Sequence, residues 1–224
     1  MRLTFLAFLL TVFLGISGFA QQKLPSVIEI TGSENAELSP TKLLDVCKRQ
    51  HIPASSVYRW KNHLIIYSVF LDTRSLLRQV QATFPGTEVK FYGKPFYEFN
   101  RRMCSNSSVA KAWDNVIISA NLVKDSVMQQ EYMKYHANQF KEWPEVAQGF
   151  CNASFQQLLV FRSGRQLMLV ISIPKGASLD ELNPKTTENN PRVDDWNALM
   201  KKYQEGLPGT KSGETWVFLN PVIK

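Results

Sequence analysis

Along residues 26–32, "SVIEITG", apolar and polar positions alternate as they do in a strand. "SPTKLLDVCKRQ" (39–50) then switches to helical spacing, with Leu43, Leu44, Val46 and Cys47 as its stripe. Ser39 followed by Pro40 reads as an N-cap and a first helical position. "SVYRW" and "HLIIYSVFL" flank "KN", the spacing of a hairpin. "TRSLLRQVQATF" (73–84) predicts a second helix, stopped by Pro85 and Gly86. "TEVKFYG" and "PFYEF" predict a closing strand broken at Gly93 and Pro95. The order is β-α-β-β-α-β.

The same order returns about 95 residues later. "WDNVIISANLV" (113–123) predicts a strand. A helix follows from "DSVMQQEYMKYH", where Ser126 and Gln129 have capping-box spacing, and helix resumes at Pro144 in "PEVAQGF". "SFQQLLVFRSGRQLMLVISIP" predicts a hairpin around "SG". "VDDWNALMKKYQEG" predicts a helix ending at Gly206, and "GETWVFLNPVI" the last strand. The fold class is therefore α+β: two tandem ferredoxin-like units, each a four-stranded antiparallel sheet with two helices on one face. The open sheet faces need cover, so the two sheets are expected to face each other in a dimeric-α/β-barrel-like core within one chain. "NRRMCSNSSVAK" (100–111) reads as the linker, which sets domains at 21–108 and 109–224.

The first residues, "MRLTFLAFLLTVFLGISGFAQQK", change the expected compartment. One Arg, an apolar run and a small-residue junction make a signal peptide over 1–20, with cleavage after Ala20. The mature chain would be secreted or periplasmic, with no stable membrane association after cleavage. Cys47, Cys104 and Cys151 are too few and too widely spaced for a disulfide framework, although one pair leaves one thiol. No CxxC or HExxH occurs, and the histidines are His51, His63 and His136, so no metal or other cofactor is expected. The net charge of +7 sits in the first half: residues 21–112 carry 13 Lys and Arg against 7 Asp and Glu. That basic surplus is scattered, and together with export it argues against a nucleic-acid partner.

Chemistry concentrates in "EYMKYHANQFKEWPE" (131–145), where Tyr132, Tyr135, His136, Phe140 and Trp143 share a polar helix. Such a mixture suits a flat-faced polar ligand such as a sugar. Tyr132 and His136 are i, i+4 and share one face. Val193, Trp196 and Met200 form a core-type stripe, so Trp196 serves core and pocket equally well. Phe140 and Trp143 read as packing. Asn190, Arg192 and Asp194 are candidate polar contacts or simple caps. Arg162 and Arg165 read as strand-edge charges, and His51 and His63 as structural.

Taken as a set, "EYMKYH", "WPEV", "GRQLMLVISI", "DWNALMKKYQEGLPG" and "ETWVF" resemble the L-rhamnose mutarotase family of sugar anomer isomerases over residues 113–224. The resemblance implies a ferredoxin-like fold and a monosaccharide substrate, L-rhamnose or a related deoxy sugar, and leaves self-association open. It implies that His136 is the catalytic histidine and that Tyr132 and Trp196 bind substrate. Three features depart from the family pattern. Trp143 lies seven positions after His136, where the family has four; Gln157 stands where a tyrosine is common; Asn197 replaces a second tryptophan. These departures keep a second reading in view, a non-catalytic sugar-binding or protein-interaction module on the same fold. A haem binder or small-molecule monooxygenase has no positive support in the residues.

Overall fold

The computed structural model describes residues 24–34 and 37–223; the expected signal peptide lies outside them. The first half builds β1 (Ser26–Thr31), α1 (Pro40–Arg49), β2 (Val57–Trp60), β3 (His63–Ser68), α2 (Thr73–Thr83) and β4 (Glu88–Tyr92). Ser39 caps α1 by accepting from the Lys42 amide, and Asp72 caps α2 from Ser75. β5 (Tyr97–Asn100) follows, then β6 (Trp113–Leu122), α3 (Ser126–Glu142), α4 (Pro144–Asn152), β7 (Gln157–Ser163) and β8 (Gln166–Pro174). A short α5 (Leu179–Leu182), α6 (Pro191–Lys201), β9 (Gln204–Glu205) and β10 (Val217–Pro221) complete the chain.

Two boundaries differ from the expected ones. The cap of α3 is Asp125, whose carboxylate accepts from the Val127 and Met128 amides; Ser126 is already helical. A charged acceptor at the positive end of a helix outcompetes a hydroxyl there. α6 stops at Lys201 rather than Gly206, because Gln204 and Glu205 leave to pair with Leu122 and Asn121.

The strands form one antiparallel sheet in the order β4-β1-β3-β2-β10-β6-β8-β7-β5, with β9 also on β6. Two separate facing sheets were expected. The last strand prevents that separation, since Asn220 pairs with Arg59 of the first half and Val217 with Ser119 of the second. The sheet curls, so that β4 comes back against β7. The expected closing strand of the first half is two strands in two places. β4 pairs with β1, whereas β5 crosses to the far edge and pairs with β7, Tyr97 opposite Val160. Gly93 and Pro95 make the break that permits this crossing.

Strand periodicity sorts the core into three layers. Ile28, Ile30, Leu64 and Ile66 face α1 and α2. Leu158, Val160, Leu167 and Ile171 face the helices of the second half. Val27, Ile65, Tyr92, Leu159, Phe161 and Val170 fill the inside of the curl, from strands of both halves. One polar knot lies within that inner layer. Glu29 accepts from His63 Nδ1 at 2.8 Å, from the Tyr92 hydroxyl at 2.7 Å and from the Gln166 amide at 2.8 Å. Burial raises the Glu29 pKa, but the hydrogen bond and charge of His63, with Tyr92 and Lys90, more than reverse it. The carboxyl is thus held below its usual range while buried.

Candidate active site

The second-half helices stand off the outer sheet face and leave a cavity of about 500 Å³. That is ample for a monosaccharide, within the usual span of roughly 300–1,000 Å³ for ligand sites. Its floor is apolar, made by Leu158, Val160, Leu169 and Ile171 of β7 and β8. Its rim is polar and includes Asn183, Thr186, Asn197, Lys201, Gln204 and Thr215. Gly149 lets α4 close this wall: a Cβ there would meet the Thr186 carbonyl oxygen at 2.5 Å. Among the described residues, no three His, Cys, Asp or Glu side chains gather as a metal would require.

Tyr132, His136 and Trp196 all line this cavity. They are 2 %, 8 % and 7 % exposed, so each is a wall rather than a surface group. The imidazole lies 4.2 Å from the Tyr132 ring and 5.3 Å from that of Trp196, measured between centroids. Its Nδ1 sits 3.0 Å from the Tyr132 carbonyl oxygen. A carbonyl only accepts, so Nδ1 carries the proton and Nε2 of the neutral ring keeps its lone pair. Burial pushes the His136 pKa down to about 4, against a small opposing pull from that hydrogen bond. At neutral pH His136 is therefore an uncharged base.

The Tyr132 hydroxyl accepts a long 3.4 Å contact from the Gln204 amide. Gln204 is held in turn by the Trp216 indole, whose Nε1–H donates to its Oε1 at 3.0 Å. That bond fixes which end of the amide faces Tyr132. The Tyr132 O–H is left free to donate into the cavity, and burial raises its pKa so that it keeps its proton.

Other candidates take different places. Trp143 packs at 5.5 Å on Trp196 and carries the Arg192 guanidinium 3.9 Å above its ring. Asn190 donates to the Glu145 carbonyl and Arg192 to that of Glu142, so the start of α6 braces α4 and α3, and both residues stay outside the cavity lining. Asp194 is exposed on α6 and also lies outside the lining. Arg162 bonds Gln129 and Arg165 pairs with Glu205. Phe140 stacks on Tyr97 at 5.4 Å.

Sequence reading missed Tyr97 and Gln204. Gln204 sits next to a motif tryptophan only in space, across the turn between β9 and β10. Tyr97 belongs to the first half and reaches the cavity through the β5 crossing. Cys104 bonds Cys151 of α4, which leaves Cys47 as the free thiol.

Known proteins resemble the half of the chain that holds the cavity. Residues 118–224, which include α3, α6 and every second-half cavity residue, match the family model described as L-rhamnose mutarotase. An L-fucose mutarotase of Xanthomonas campestris pv. campestris is 31 % identical over 97 residues, 43 % of this chain and 75 % of that protein. A UPF0734 protein of Dictyostelium discoideum is 29 % identical over 116 residues, 50 % of this chain and 85 % of its own length. A heme-degrading enzyme of Listeria monocytogenes superimposes with a TM-score of 0.38 at 12 % identity, over 88 % of this chain and 98 % of that one, too low a score to weigh. With a relative at 31 % identity matched over 75 % of its length, and the family model over the half that holds the cavity, the chain belongs to the L-rhamnose mutarotase family of carbohydrate mutarotases.

Proposed function

We propose that this protein is an exported mutarotase that interconverts the α and β anomers of L-rhamnose or a related deoxy sugar. The observation that carries the reading is the neutral His136 imidazole, its Nδ1–H engaged and its Nε2 free, in a monosaccharide-sized cavity. Ring opening removes the proton from the anomeric hydroxyl and delivers one to the ring oxygen. The C1–O5 bond breaks and C1 becomes a carbonyl; rotation and reclosure reverse the steps on the other face. His136 Nε2 takes the first proton and, as imidazolium, returns one to the adjacent ring oxygen. Tyr132 holds the sugar through its hydroxyl, and the Trp196 ring packs on its C–H face. The demand is modest, since sugars mutarotate unaided, and general acid–base help of about 10²–10⁴-fold suffices.

Export is supported by the "GFA" junction and by the Cys104–Cys151 disulfide, which suits an oxidising compartment. Mass spectrometry of protein from the native host should find Gln21 at the mature N-terminus. In this reading the halves are two ferredoxin-like domains, 21–108 and 109–224, whose strands join in the one curled sheet around a barrel-like core. The mutarotase assignment is tested by saturation-transfer NMR on a panel of deoxy and simple hexoses. Exchange between anomers of one sugar is expected, with its loss in His136→Ala. Binding without exchange would instead favour the non-catalytic sugar-binding module.

A further inference from the structure

We propose that Tyr97, on a strand contributed by the first half, is a positioning residue for His136, and that the first half thereby completes a pocket whose reacting groups belong to the second. The proposal rests on the reading of His136 as the base. It begins from the crossing of β5, which leaves its own half and becomes the edge strand beside β7. The Phe96 amide donates to the Val160 carbonyl at 2.9 Å, locking the register at the cavity. Tyr97 then meets the imidazole edge-on, 5.4 Å between centroids and 89° between planes. Phe96 stands 5.7 Å from the same ring. Four aromatic rings therefore box His136, and two come from the first half.

Tyr97 is held on three sides. Its backbone is paired, its ring stacks on Phe140 at an interplanar angle of 10°, and its hydroxyl donates to Gln139 Oε1 at 2.6 Å. The Gln139 amide passes on to the Trp143 carbonyl at 2.6 Å, at the C-terminal cap of α3. This chain fixes the last turns of the helix that carries His136. Immediately downstream the segment is pinned again: the Arg101 guanidinium donates to the Cys151 carbonyl, and Cys104 is bonded to Cys151. So many attachments to α3 and α4 exceed what one more edge strand needs, and they converge on the wall of the imidazole.

The consequence is dryness. Tyr97, itself part of the cavity wall, covers one edge of the His136 ring, and shielding from water is the largest influence on the pKa of that ring. The titratable groups facing the ring are the Tyr132 phenol of its own helix and the Tyr97 phenol of β5; Lys201 of α6 stands across the cavity, whose lining holds no carboxylate. None of these is an acid that a variant would unmask. Water admitted by loss of the Tyr97 ring therefore acts in one direction, favouring the imidazolium.

The test is an NMR titration of the His136 imidazole nitrogens in the full chain, with no sugar present. Tyr97→Ala should raise its midpoint from about 4 by about one unit or more towards 6.5. Tyr97→Phe, which keeps the ring, should leave the midpoint near that of the parent while lowering the rate of anomer exchange at unchanged KM. If Tyr97→Ala does not fold, Phe140→Ala serves, since Phe140 is 37 % exposed and tolerates truncation. It frees the Tyr97 ring and should move the midpoint the same way by less. An unmoved midpoint in every folded truncation overturns the proposal. A moved midpoint in a protein that exchanges no sugar supports the proposal and removes the mutarotase reading instead.

Discussion

His136 donates through Nδ1 to the backbone carbonyl of Tyr132, one helical turn earlier and 3.0 Å away. The i, i+4 relation thus sets the tautomer of the base as well as the shared face. The folded-state pKa of about 4 lies below the ordinary value of 6.5, so the unfolded chain binds the extra proton between those values. Stability from this group is complete above pH 6.5 and declines as pH falls towards 4, by about 3 kcal/mol over the window. Urea unfolding of the wild type and His136→Gln at pH 7 and pH 4.5 should show a smaller pH dependence in the variant. The rate should also hold down to about pH 5 and fall only near pH 4, where an ordinary histidine would have failed from 6.5. A fall in rate centred on pH 6.5 would mean a solvated imidazole.

Tyr132→Phe removes the hydroxyl and keeps the ring that packs on His136. One hydrogen bond to the sugar is lost, a net cost of about 0.5–1.5 kcal/mol, which is about 2- to 10-fold in affinity. Exchange at saturating sugar should change less than in His136→Ala. Titration calorimetry against the sugar that exchanges gives the first quantity, and saturation-transfer NMR the second. An unchanged affinity would place the hydroxyl away from the sugar.

Local signals carried most of this fold. The cap at Ser39, the hairpin around Lys61 and the one at Gly164 are properties of short stretches, and each is where the pattern puts it. The Tyr132–His136 pair was legible for the same reason, because helical spacing alone brings the two together. Crossings between halves were not legible. Nothing in "PFYEF" distinguishes a strand that stays on its sheet from one that leaves for β7, since both read as alternation bounded by Gly93 and Pro95. Tyr97 was therefore invisible as a site residue. So was the work of the longer segment after His136, which supplies Gln139 and Phe140, the two residues that grip Tyr97.

Cys47 is fully buried on the core-facing side of α1, and burial pushes its thiol pKa up to about 12. Thiolate is the reactive form, so the native protein should resist alkylation. Iodoacetamide at pH 8 should leave the folded chain unmodified over hours and add one group under non-reducing denaturing conditions. Mass spectrometry counts the groups. Two further additions only after reduction would report Cys104 and Cys151. Rapid labelling of the native state would mean that α1 opens readily.

Glu29 binds the two halves of the curled sheet into one unit. Its carboxylate, 1 % exposed on β1, is shared by His63 of β3, Tyr92 of β4 and Gln166 of β8. Lys90 adds a second crossing, donating to Gln166 Oε1 at 2.9 Å, and the Gln166 amide also approaches the Ser119 hydroxyl. Glu29→Ala leaves three donors without their acceptor in a dry layer. Removing one partner of a buried pair costs about 3–5 kcal/mol. Urea unfolding at pH 7 should show that loss. Glu29→Gln keeps the volume and loses the charge, so it separates shape from electrostatics. The wild-type carboxyl titrates below its unfolded value, so its contribution is present above the ordinary carboxylate range and is lost as pH falls through the depressed folded value. The gap in stability between wild type and Glu29→Gln should therefore be widest near neutrality and close in acid. A gap that stays constant with pH would show that the carboxylate charge adds nothing beyond the space it fills.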